Sequence, residues 1–204
     1  MERWATFDCY GTLIDWNRGI RETIGAELLE RYHEVEPQVE AEVPTLSYRE
    51  VMTETARRLG VDEPDKLAES LPRWPVFPEV TGALERARRG QWKLAILSNT
   101  DRDYIDASIA AIGVKFDVVI VASEIGSYKP APGHWRAFEK ETGRLPDVHV
   151  AASHFHDVVP ATELGLKTIW INRLGEELEP EPTRELPNLS ALAEALDELA
   201  PAAA

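Results

Sequence analysis

Trp4-Ala5-Thr6-Phe7-Asp8-Cys9-Tyr10-Gly11-Thr12-Leu13-Ile14-Asp15-Trp16 is a short apolar, β-prone run that reaches a carboxylate and breaks at once into a Tyr-Gly-Thr turn. It reads as a buried first strand that delivers Asp8 to the edge of a sheet. In open α/β sheets ligands sit beyond the carboxyl ends of the strands, where connections diverge, so Asp8 stands where chemistry is usually done. Gly11 lets the backbone turn sharply there. From this segment alone, Asp8 reads equally well as the cap of a turn.

Working outward, residues from about Asn17 to Leu59 are helix formers with apolar positions at helical spacing, as in Ile20, Ile24 and Leu28, then Val51, Met52, Ala56 and Leu59. Pro37 and Pro44 separate these two helices, Gly60 ends the second, and Asp65 to Leu71 reads as a third. Pro72, Pro75 and Pro78 then forbid continuous helix and make a stiff return linker. After Pro78 the pattern alternates. Strands are expected at Lys93–Leu97, Asp117–Ala122, Val148–Ala152 and Thr168–Ile171, with helices between them that Gly90, Gly113 and Gly165 stop. That alternation implies right-handed crossovers and a parallel sheet covered on both faces, a doubly wound α/β architecture. Glu176 to Pro187 reads as a solvated acidic loop, and Ser190 as the cap of a final helix carrying Leu192, Leu196 and Leu199 on one stripe.

The chain has 204 residues, 44% hydrophobic and 28% charged, enough for one core plus an inserted subdomain. A net charge of −14 argues against a nucleic-acid or anionic-membrane partner, both of which want a basic face. An anionic small-molecule substrate must therefore find local positive charge. No run is long enough to span a bilayer, and the first residues enter a strand without a leader pattern, which reads as a cytoplasmic protein. Cys9 is the sole cysteine, so neither an intramolecular disulfide nor a cysteine metal cage is available.

Each polar cluster falls at the carboxyl end of an expected strand: Asp8, then Ser98 and Asn99, then Lys129, then Ser153 to Asp157. A lone Lys is usually a solvated charge, and a lone Ser-Asn or a pre-helix Asp is usually a cap. Four such clusters on one sheet edge are hard to assign to caps alone. In this order, Asp8-Cys-Tyr-Gly-Thr, Ser98-Asn99, Lys129-Pro130 and Asp157 resemble the four motifs of the haloacid dehalogenase superfamily, most closely the type II (S)-2-haloacid dehalogenases. The likeness covers roughly residues 4–14 and 78–173. It implies a Rossmann-like catalytic core from residues 1–16 and 78–204, with a helical cap, residues 17–77, inserted after the first strand.

That superfamily includes Mg²⁺-dependent phosphatases, which carry a second carboxylate two residues after the nucleophile and another about five positions before the one matching Asp157. Here those positions hold Tyr10 and Ala152. The resemblance therefore implies chemistry without a metal or other cofactor. It makes Asp8 the nucleophile that displaces halide and Lys129 the cation that keeps Asp8 ionised. Asp157 then positions water against the ester. Tyr10, Thr12, Ser98, Asn99 and Ser153 are the expected substrate-binding groups. The fourth motif departs from the family's Ser-Ser-Asn-x-x-Asp: His154 replaces the asparagine and is assigned a share in water activation. Arg31 is the candidate for the cap arginine that binds halide, with Arg18 and Arg21 behind it, and Trp16 and Phe155 are candidate walls of a halide pocket. Two alternatives stay open, a superfamily phosphatase or other hydrolase with a drifted Mg²⁺ site and a non-catalytic ligand-binding member. Dimers through the cap are common in the resembling family, so a homodimer is also expected.

Overall fold

The opening apolar run becomes β1 (Arg3–Phe7), buried from Trp4 onward, in a computed structural model that describes residues 2–202. It lies at the centre of a parallel sheet between β2 (Trp92–Ser98) and β4 (Val148–Ala151), with Phe7 level with both Ile96 and Val150. The sheet continues outward through β3 (Val118–Val121) on one side and β5 (Lys167–Ile171) and β6 (Arg184–Leu186) on the other. The order is β3-β2-β1-β4-β5-β6. The chain thus runs one way from β1 to β3 and the other way from β4 to β6. The loops leaving β1 and β4 diverge and open a crevice at the carboxyl edge. Burial on both faces explains why the central strands read as continuous apolar runs rather than alternating ones.

Four helices follow β1: α1 (Trp16–Ile24), α2 (Leu29–Glu42), α3 (Tyr48–Arg58) and α4 (Asp65–Ser70). Pro37 does not end α2 but lies inside it, and the break falls near Pro44. The reason is packing. Tyr32, Glu36, Val39 and Glu40 form one buried stripe on α2 that runs straight past the proline, and this tertiary burial outweighs the lost backbone hydrogen bond. Ser47 caps α3 in a reciprocal box with Glu50.

The helical block is tied down over the carboxyl edge of the sheet. Buried Asp101, which precedes α6 (Arg102–Ile112), accepts hydrogen bonds from the backbone amides of Tyr48 at 3.0 Å and Arg49 at 2.9 Å. These are free donors of the first turn of α3, where a carboxylate is favoured. The Tyr128 hydroxyl donates to the Leu46 carbonyl at 2.9 Å.

The remaining helices are α5 (Val80–Arg89), the short α7 (Ala122–Ile125), α8 (Gly133–Thr142), α9 (Val159–Glu163) and α10 (Leu192–Leu199). Two details differ from the sequence reading. Part of the acidic loop becomes β6, a three-residue edge strand too short to show periodicity, anchored by buried Leu186. The cap ahead of α10 is Asn188, which accepts from the Ser190 amide at 2.9 Å, while Ser190 lies inside the intervening turn. Among the described residues no helix is long and apolar enough to cross a membrane.

Candidate active site

Asp8 leaves β1 with its amide still paired to the Val150 carbonyl of β4 at 3.1 Å, so its side chain is fixed by the sheet. The turn beyond it folds back, and the Thr12 hydroxyl donates to Asp8 Oδ2 at 2.9 Å. The same hydroxyl accepts the Ala152 amide at 2.8 Å, locking the first turn to the end of β4. The other carboxylate oxygen, Oδ1, accepts from Lys129 Nζ at 2.9 Å.

Lys129 is 1% exposed and uses all three of its donors: Asp8 Oδ1, Asp157 Oδ1 at 2.6 Å and the Leu97 carbonyl at 2.9 Å. Asn99 clamps its backbone, accepting from the Lys129 amide at 2.7 Å and donating to the Lys129 carbonyl at 3.0 Å. A buried lysine is tolerable only with such pairing. Burial lowers the pKa of the ammonium, but the two carboxylates outweigh it and the net shift is upward.

Asp157 follows β4. Burial pushes its carboxyl up, but Lys129 and His149 together overcome this and hold it at about 2. His149 was not foreseen as a site residue. It lies within β4, and its Nε2 is 2.9 Å from Asp157 Oδ1 while its Nδ1 is 2.8 Å from the Thr6 hydroxyl. With Nε2 donating to the carboxylate, Nδ1 accepts from Thr6, which sets the tautomer. Asp8 differs from Asp157: burial raises its pKa, Lys129 pulls it back, and the neighbouring Asp157 charge raises it further, leaving the carboxyl above its ordinary value.

These groups floor a cleft of about 90 Å³, lined also by Ser98, Asn99, Ser153 and His156 from the sheet edge and by Tyr10, Trp16, Glu36, Glu40 and Tyr48. Tyr10 and Tyr48 stack with ring centroids 6.3 Å apart, and the Tyr10 hydroxyl is held away from the cleft by Ser108 at 3.1 Å. The Ser98 hydroxyl and Asp157 Oδ2 are buried without a partner. Glu36 and Glu40, 5% and 6% exposed, come from the buried stripe of α2. The Tyr48 hydroxyl donates to Glu36 at 2.8 Å. Burial drives the Glu36 carboxyl up to about 7, and drives Glu40 well above its ordinary value with help from Glu36. His156 Nε2 stands 3.7 Å from Glu40, and burial lowers its ring to about 4, so it is neutral at physiological pH.

Asp8, Lys129, Asp157, Ser98, Asn99, Ser153 and Tyr10 are therefore brought together. Four other expectations are placed differently by the structure. His154 does not face the cleft: its Nε2 is 3.0 Å from the Pro180 carbonyl and its ring packs edge-on to Trp170, because the first turn after Ser153 points residue 154 toward the loop beyond β5. Thr12 does not line the cleft but orients Asp8. Arg31 is exposed on the outer side of α2, and Arg18 and Arg21 are exposed on α1. No arginine lines the cleft, and Lys129 is its only cation among the described residues. Of the two proposed walls, Trp16 lines the cleft, whereas Phe155 is 59% exposed and borders an outer cavity. The glutamates were legible only as two polar positions on the apolar stripe of α2. Among the described residues, no group of three or more His, Cys, Asp or Glu is arranged to hold a metal ion.

The model of the family described as haloacid dehalogenase-like hydrolase matches residues 3–152. The (S)-2-haloacid dehalogenase of Pseudomonas sp. strain YL is 31% identical over 150 residues, covering 69% of this chain and 65% of that protein. The phosphoserine phosphatase of Thermus thermophilus is 30% identical over 121 residues, covering 57% and 47%. The chain thus spans just under two thirds of the first relative and about half of the second. In fold it is similar to the L-2-haloacid dehalogenase of Xanthobacter autotrophicus with chloropropionic acid covalently bound, at TM-score 0.80 and 23% identity over 98% of this chain and 100% of that one.

Proposed function

The chain belongs to the haloacid dehalogenase-like hydrolase family, and from that premise we propose that it hydrolyses small 2-substituted carboxylic acids without a metal, through an ester on Asp8. The simplest substrates of this class are (S)-2-haloacids. One observation carries the reading: the Lys129 ammonium bridges Asp8 and Asp157, at 2.9 and 2.6 Å, so a resident cation already occupies the space between the two carboxylates.

Asp8 attacks C2 of the substrate; the C–X bond breaks and its electron pair leaves with the halide. Attack from behind inverts C2. Water then adds to the ester carbonyl carbon of Asp8, the acyl C–O bond breaks, and a 2-hydroxy acid departs while a proton passes to solvent. The second step does not touch C2, so an (S)-haloacid gives an (R)-hydroxy acid. Thr12 and Lys129 hold the two oxygens of Asp8, which keeps one carboxylate geometry for attack. Asp157, held ionised by Lys129 and His149, orients the water. Halide needs no protonation, so Tyr10 suffices where a phosphatase needs an acid.

Mg²⁺ does not fit this donor set. Octahedral oxygen coordination usually draws on more than one carboxylate around the substrate phosphate. Ala152 offers no oxygen from its side chain, and the Lys129 ammonium already holds one oxygen each of Asp8 and Asp157. The test is a panel of 2-haloacids and phosphate monoesters, assayed with chelator and with millimolar Mg²⁺. Halide release unaffected by chelator, with little phosphate release, is the expected result. Phosphate-ester turnover that chelation abolishes and Mg²⁺ restores would replace this reading with the phosphatase one.

A further inference from the structure

The cleft has an unusual charge pattern for a site that takes an organic anion. Four carboxyl side chains line it, Asp8, Asp157, Glu36 and Glu40, against the single ammonium of Lys129, whose three donors are already committed. The expected arginine above the nucleophile is absent, and two glutamates from α2 face the cleft. A substrate carrying only negative charge would meet no free cation. Two buried acceptors also stand without partners on the floor, Asp157 Oδ2 and the Ser98 hydroxyl oxygen. The walls next to the glutamates are aromatic faces, Trp16 and the stacked pair Tyr10 and Tyr48.

Carboxylates backed by aromatic faces are the chemistry that recognises an organic ammonium: the charge meets the carboxylates, and the C–H groups around it meet the negative faces of the rings. We propose that Glu36 and Glu40, with Trp16, Tyr10 and Tyr48, form an ammonium subsite opposite Asp8, so that the substrate is a small 2-substituted acid that also bears a protonated amine. The substrate class rests on the Asp8 ester reading above; the ammonium subsite itself does not. In a zwitterion the amine offsets the substrate carboxylate, and the cleft no longer has to desolvate an unbalanced anion. The cleft, about 90 Å³, limits the ligand to a small acid.

The groups facing the two glutamates set the pH response. Asp8 opposes ionisation of Glu36, Glu36 opposes that of Glu40, Lys129 favours the charged form of Glu40, Tyr48 favours that of Glu36, and His156 is neutral. Both glutamates are therefore protonated more readily than usual, and binding an ammonium must expel protons.

The experiment is calorimetric titration of the intact protein with propylammonium, propanol and propanoate between pH 5.5 and 8.5, in buffers of different ionisation enthalpy. Propylammonium should bind at least tenfold more tightly than propanoate at pH 8, release protons near pH 7, and gain affinity as pH rises. The pair Glu36→Gln and Glu40→Gln should weaken it tenfold or more while leaving propanol unchanged. Should that double variant fail to fold, Glu40→Gln alone and the wild-type pH dependence decide. Preference for propanoate, affinity flat or falling with pH, or Mg²⁺ competing at equal concentration would overturn the subsite. Because no turnover is needed, the two proposals fail separately. A protein that binds propylammonium but releases halide from no haloacid loses the Asp8 reading alone; one that releases halide yet prefers propanoate loses only the subsite.

Discussion

Replacing Lys129 by Met removes the ammonium and keeps most of the stem. Two buried carboxylates, each within 3 Å of Nζ, then share a site with no countercharge. Taking roughly 4 Å between charge centres and an effective dielectric constant of about 20, each ammonium–carboxylate pair contributes about 4 kcal/mol. Losing the pair with Lys129 therefore pushes the Asp8 carboxyl further up. Asp8 already lies above its ordinary value, so the variant shifts it toward the protonated form, and a protonated carboxyl is no nucleophile. The expected fall in kcat/KM at pH 7 is about 10²- to 10³-fold, with partial recovery toward alkaline pH as the acid limb moves up. Loss of one partner of a buried ion pair also costs about 3–5 kcal/mol of stability. Halide release against pH, alongside urea unfolding, measures both. A variant within tenfold of wild type with an unmoved acid limb would refute the idea that Lys129 controls Asp8.

Thr12→Val should lower kcat about tenfold with KM within about twofold, because the lost hydroxyl orients Asp8, and stability should fall by about 1–3 kcal/mol as the Ala152 amide loses its acceptor. Glu36 has a folded pKa raised from 4.5 to about 7, so its contribution to stability is fully present below about pH 4.5 and is lost as pH rises through about 7. Glu36→Gln should therefore remove a decline on the order of 3 kcal/mol across that window, read from denaturant unfolding at each pH. His154→Asn should leave halide release within about twofold of wild type, since that ring bonds the Pro180 carbonyl rather than facing the cleft.

The sheet and the floor of the site were legible because both rest on local signals. Strand runs are apolar for their full length when buried on both faces; Asp8 and Asn99 follow such runs directly, Ser98 ends one, and Lys129 and Asp157 lie in the segments that lead on from two others. What stayed hidden depends on which face a residue presents after packing. Glu36 and Glu40 read as ordinary helix formers until Tyr32 and Val39 turned their stripe inward past Pro37. His149 reads as one polar position in a strand, and only the pairing of β1 with β4 sets it between Thr6 and Asp157. His154 and His156 differ by two residues along one turn, enough to send one toward Pro180 and the other into the cleft.

Asp8 as a covalent nucleophile is tested most directly by a single turnover in ¹⁸O water with enzyme in excess over an (S)-2-haloacid, followed by mass spectrometry of the peptide containing Asp8 and of the product. Attack by Asp8 places the label in the Asp8 carboxylate and leaves the first hydroxy acid unlabelled. Label that appears in the hydroxy acid and not in Asp8 would mean that water attacks C2 directly, and the ester route would be wrong.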